Sequence, residues 1–139
     1  MVISLDKKEY LCRYHNLEVR IEKKKAYIDF CDEKARSIPG PAYDDMPHSP
    51  NPSTEAPFVK WVLRRIDAEA ELKDLLNEAA VIKADTEATI SKMINEEERR
   101  VLILHYIDWL PWIEIENAMY QSKSSLMRLH RRALDNLML

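Results

Sequence analysis

The chain has 139 residues, 46% hydrophobic and 32% charged, enough for one compact domain or two small ones and too short for a large multidomain enzyme. Its single glycine, Gly40, excludes the Gly-rich phosphate loops of P-loop and Rossmann proteins, in which backbone must approach phosphate without an intervening Cβ. The formal net charge of −3 argues neither for a membrane surface nor for nucleic-acid binding spread over the whole molecule, but an average can hide a local basic patch.

Abundant Leu, Ala, Glu, Lys and Arg with so little glycine predicts an all-α protein, because these side chains lose little entropy in a helix. The first element spans Leu5 to Ile38. Tyr10, Tyr14, Leu17, Ile21, Ile28, Cys31, Ala35 and Ile38 recur at alternating spacings of four and three, with Lys24 in the one missing slot, and make a coiled-coil-like stripe. The Lys23-Lys24-Lys25 run reads as a solvated face. Residues 39–57 hold Gly40 and every proline except Pro111, so no helix continues through them and they form a proline-rich connecting loop. A second helical run from Phe58 to about Met93 places Val59, Val62, Ile66, Leu76, Ala80, Ile90 and Ile94 on its apolar side. At about 1.5 Å per residue each run is roughly 50 Å long, and the two are expected to pack as a long antiparallel helical hairpin forming a first domain over residues 1–94. Such a hairpin buries little by itself, so a second copy covering its remaining apolar surface, a homodimer, is expected.

Cys12 and Cys31 lie roughly 28 Å apart if one helix carries both, too far to bridge. No apolar leader follows Met1, and no stretch approaches the ~18 apolar residues of a membrane span. These features predict a soluble, cytoplasmic protein with no membrane partner.

Residues 95–139 read as a second domain of three short helices. Asn95 and Glu98 stand at capping-box spacing and open a helix through Val101, Leu102, Leu104 and Tyr106 to Ile107. Pro111 opens the next, with Trp112, Ile115, Ala118 and Met119 on its inner side. Tyr120-Gln121 makes a turn, Ser122 is an N-cap, and Leu126, Leu129, Ala133 and Leu137 form the buried stripe of a last helix. From Ser122 onward Lys123, Arg128, Arg131 and Arg132 are opposed only by Asp135. Short helix, tight turn and basic helix together predict a helix-turn-helix. Trp109 and Trp112 are expected as core anchors of this unit, and His130 as a solvent-facing side chain.

The run Glu96-Glu-Glu-Arg-Arg-Val-Leu-Ile-Leu-His-Tyr-Ile107, followed by Leu110-Pro-Trp-Ile-Glu-Ile115 and then Ser122 to Leu137, resembles region 4 of the sigma-70 family. The match covers about 43 of the 139 residues. The whole chain is similar to the RinA/ArpU-like late-transcription regulators of phages, and Asp45-Met46-Pro47-His48-Ser49-Pro50 resembles a motif of prophage members of that group. Two positions depart from the sigma-like pattern: Tyr120 stands where a turn glycine is usual, and Glu116 where a small residue is usual. The resemblance implies a sequence-specific DNA-binding regulator of phage or prophage genes in a bacterial host, an activator that binds double-stranded promoter DNA, with host RNA polymerase as a further partner. It makes Lys123, Ser124, Ser125 and Arg128 the base-reading residues. Arg99, Arg100, Ser122, Arg131 and Arg132 are then the phosphate contacts.

Two other functions fit the same residues. One is a protein-interaction module, a polymerase-binding or assembly adaptor. The other is a small terminase-type subunit for DNA packaging. Catalysis is not expected: His15, His48, His105 and His130 are scattered, and no zinc spacing, Cys-x-x-Cys or nucleophile elbow is present. No metal or cofactor is expected either.

Overall fold

The computed structural model describes residues 2–37 and 56–139. Within them the chain is all-helical: α1 (Val2–Ser37), α2 (Pro57–Ser91), α3 (Glu96–Leu102) continuing into a π-helical turn (Ile103–Ile107), α4 (Trp112–Met119) and α5 (Lys123–Asn136). Positions 39–55 of the expected proline-rich loop lie outside the described residues, as do the Asp45–Pro50 motif and Ile38, the last position of the first stripe. No described helix is long and apolar enough to cross a membrane.

The chain divides into two compact units, one of Met1–Val19 with Asn77–Leu139 and one of Arg20–Leu76. In each, α1 and α2 pack side by side and antiparallel. In the first, the Tyr10 hydroxyl meets Asp85 and Thr89 at 2.7 Å, and Arg13 donates to Asp85 at 2.8 Å. The Arg13 guanidinium and the Tyr10 hydroxyl hold the Asp85 carboxyl below its ordinary range. In the second, Lys24 pairs with Glu71, and Arg65 with Asp32 at 2.7 Å.

Leu17, Ile21 and Cys31 of the first stripe are buried as expected. On α2 Ile90 is buried as expected and Val59 and Val62 are half-buried, but from Ile66 to Ala80 the buried side is rotated from the expected one. Ala68, Leu75, Ala79, Thr86, Ile90 and Met93 are buried, while Ile66, Leu76, Ala80 and Ile94 are exposed. Burial follows the unbroken alternation of three and four through Arg65, Ala68, Leu72, Leu75, Ala79, Ile82 and Thr86, not side-chain size. A Thr fits this line because its hydroxyl donates to the Ile82 carbonyl of its own helix at 2.8 Å.

The core of the first unit joins Leu11 of α1 and Ile90 of α2 to Val101, Leu102, Ile115, Leu126, Leu129 and Leu137. Leu11 lies beside the expected stripe, not in it, and is fully buried because it faces α3 and α5 as well as α2. Three acidic residues in the first turn of α3 suit the positive end of the helix, and Asn95 caps it, accepting from the Glu98 amide at 3.0 Å. The expected capping box is only half formed. The Glu98 carboxylate turns inward and accepts from Asn136 Nδ2 at 2.9 Å, tying the start of α3 to the end of α5.

Candidate nucleic-acid interface

Two short helices and the turn between them hold the predicted site. Pro111, in extended conformation, precedes α4, whose Ile115 and Met119 are buried. The helix ends at Tyr120, which takes the left-handed conformation (φ 54, ψ 43) and returns its amide to the Glu116 carbonyl. Gln121 donates to the same oxygen at 3.2 Å, so the turn is closed by backbone bonds without glycine. Ser122 then caps α5, its hydroxyl accepting from the Ser125 amide at 3.3 Å. Leu126, Leu129, Ala133 and Leu134 seat one side of α5 in the core, and Lys7 of α1 donates to the Leu134 carbonyl at 2.8 Å and to that of Asp135 at 3.2 Å. An ammonium at the carbonyl end of a helix complements its dipole, so both ends of α5 are held.

The opposite side of α5 faces solvent. Ser124, Arg128, Arg131 and Arg132 are exposed and, at spacings of four, three and four from Ser124 and Arg128, share one face, with Asp135 at its far end. Lys123 is exposed in the first turn, off this line. Among the described residues no ion pair or side-chain hydrogen bond engages Lys123, Arg128, Arg131 or Arg132. The remaining predicted residues are occupied. Ser125 is half-buried and donates to Gln121 Oε1 at 2.9 Å. Arg99 donates to the carbonyls of Met93 and Ile94 beyond the end of α2, and Arg100 to that of Ala118 in α4 at 3.1 Å. Arg100 therefore satisfies a carbonyl in the last turn of α4, and Arg99 two carbonyls in the link between α2 and α3.

No protein-family model matches the chain, and neither a curated protein nor a solved structure is significantly similar to it.

Behind the exposed face lies a ring cluster that the sequence reading did not assemble. His130, expected to face solvent, is half-buried on the inner side of α5, with its Nε2 2.7 Å from the Tyr106 hydroxyl. Burial, then His105 and Lys8, lowers the His130 pKa to about 4, while burial raises that of Tyr106. The tyrosine stays protonated and the imidazole neutral, so one hydrogen bond joins them, its direction set by the histidine tautomer. His105 stacks on Trp112 with ring centroids 4.2 Å apart, and its buried Nδ1 lacks a partner among the described residues. Burial lowers its pKa too.

Trp109 is not the core anchor expected of it. It is 43% exposed, stacks on His15 at 3.5 Å, and sits at φ 53 directly after the π-helical turn. That turn is marked by the Asp108 amide reaching back to the Ile103 carbonyl at 2.9 Å. The signal for the cluster was present in the spacing of His105, Trp109 and Trp112, one helical side read across a turn that interrupts the helix. Among the described residues no three His, Cys, Asp or Glu side chains converge to hold a metal ion.

Proposed function

We propose that the chain is a sequence-specific DNA-binding transcriptional regulator of phage or prophage genes, an activator whose helix-turn-helix of α4, Tyr120-Gln121 and α5 docks on promoter DNA. The observation that carries this reading is the exposed face of α5. Among the described residues Arg128, Arg131 and Arg132 stand without protein partners, with Ser124 exposed beside them, on a helix whose other side and both ends are fixed. A rigid helix offering unpaired guanidinium groups suits a major groove, where arginine holds guanine O6 and N7 with two bonds. Arg128, with Ser124 one turn before it, reads bases; Arg131 and Arg132 reach phosphates. Lys123 and Ser122 add contacts at the start of the helix, Ser122 while it caps α5. Arg100 engages one carbonyl through a single nitrogen and retains donors for a phosphate. Host RNA polymerase and a second copy of the chain are the further partners of this reading.

The test is selection of fragments of the source genome on the purified protein at two salt concentrations, with sequencing of what is retained. Retention of one promoter-proximal site with steeply salt-dependent affinity is expected. Arg128→Ala should cost ~1–3 kcal/mol and relax preference at one base pair. Arg132→Ala should weaken all sequences alike and reduce the salt slope by about one. Retention of no sequence, or of all sequences equally, would move the function to a protein-interaction module.

A further inference from the structure

The second unit, Arg20–Leu76, carries a surface that the proposed DNA contact does not use. Its helix pair has two flanks, and they differ. On one, Arg65 is paired with Asp32 and Glu69. On the other, Tyr27 and Phe30 of α1 are 38% and 44% exposed, and Phe30 meets the Trp61 ring of α2 edge-on with centroids 5.6 Å apart. Beside these rings, Lys60, Arg64, Asp67 and Glu71 are all exposed on α2 at spacings of four, three and four, which puts them in one row. Arg64 lies over Trp61 at 4.9 Å from the ring centre, and Glu71 pairs with Lys24, so the row borders the aromatic flank.

The row reads positive, positive, negative, negative. Turned end over end about a two-fold axis between Arg64 and Asp67, it meets itself with every charge opposite its complement: Arg64 against Asp67, and Lys60 against Glu71. A two-fold contact requires this self-complementarity, whereas parallel alignment sets like charges against each other. Asp32 pairs with Arg65 beside the axis, so Phe30 lies within one turn of its level and its exposed ring falls at the centre of the contact. Exposed aromatic rings at the centre with charged margins are what a protein interface needs. We infer that this flank docks a second copy of the chain, antiparallel, so that two helix pairs form a four-helix contact. The inference deepens the dimeric part of the proposed function and does not depend on DNA.

The test is solution mass without DNA. The wild-type chain should have twice its 16.4 kDa mass. Lys60→Glu with Arg64→Glu makes the row wholly acidic, and Asp67→Lys with Glu71→Lys makes it wholly basic. Each variant alone should be monomeric, an equimolar mixture should give a one-to-one heterodimer, and the quadruple variant should again form a homodimer. All four substitutions are at exposed positions, and circular dichroism verifies that each variant keeps its helices. Should one double variant fail to fold, the quadruple variant carries the test: its reversed row must still give a homodimer, and loss of that dimer in a folded quadruple variant overturns the contact. A wild-type monomer, a larger ring, or dimers that persist in both double variants overturns it as well. Dimers lost only on Leu63→Glu would place the contact on the outer face of α2 instead. Because no DNA is present, these outcomes are separate from those of the fragment selection.

Discussion

Among the described residues two non-glycine residues adopt positive φ, and their surroundings give them opposite meanings. Tyr120 is 94% exposed, so its ring contributes no packing to offset a conformation that costs an L-residue ~1–2 kcal/mol. The turn needs that conformation because the Tyr120 amide closes α4 on Glu116. Tyr120→Gly relieves the side-chain clash at some cost in unfolded-state entropy. A net gain of about 0.5–1 kcal/mol is expected, as a higher urea midpoint with unchanged slope. Trp109 has the same φ, but its ring stacks on His15 at 3.5 Å. Trp109→Gly should therefore lower the midpoint. Equal signs for the two substitutions would show that packing does not decide between them.

At the scale of elements, the sequence was most legible where chemistry and periodicity agreed. α5 carries a serine cap and buries Leu126, Leu129 and Ala133, with Leu137 just past its end, where spacing predicted them, while Leu134 is buried and His130 half-buried beside that stripe. The existence of α2 was equally legible, but its buried side was not, because large aliphatics such as Ile66 and Leu76 drew the stripe away from a seam containing Ala68, Ala79 and Thr86. A close helix–helix seam accepts small residues, and size alone cannot locate it. The arginines of α3 posed a different difficulty. Their charge pointed to phosphate, while their use as donors to backbone carbonyls depends on which carbonyls lie nearby in three dimensions. The rotated seam makes a paired prediction at adjacent residues. Ala79→Glu forces a carboxylate into the seam and should cost about 3 kcal/mol or more. Ala80→Glu, on the exposed side, should stay within about 0.5 kcal/mol. Thermal unfolding of the two variants checks the assignment, and the expected stripe would have reversed their order.

At the scale of the whole molecule, the exposed arginine face and the histidine cluster are two sides of one helix, and acid acts on its buried side. His130 anchors the inner side of α5 through its bond with Tyr106, and burial of the ring penalises its charged form. Its pKa is about 4 in the folded chain, below the ordinary histidine value near 6.5. The unfolded chain therefore takes up a proton first as pH falls. Stability from this group is fully present above about 6.5 and is lost progressively as pH falls from there toward 4. His105 is shifted in the same direction and adds to the loss. Asp85 belongs to a lower window, since a depressed carboxylate loses its contribution only below its ordinary value of 3.8. The full His130 shift corresponds to about 3 kcal/mol, and water at the half-buried ring reduces this to roughly 1–2 kcal/mol. Urea midpoints measured from pH 7 to 4.5 should therefore fall for the wild-type chain. They should fall less for His130→Gln, which starts less stable because the Tyr106 hydroxyl loses its partner ring. Unchanged midpoints across this range would mean that His130 titrates as an ordinary solvent-exposed histidine and that α5 is held by its aliphatic side alone.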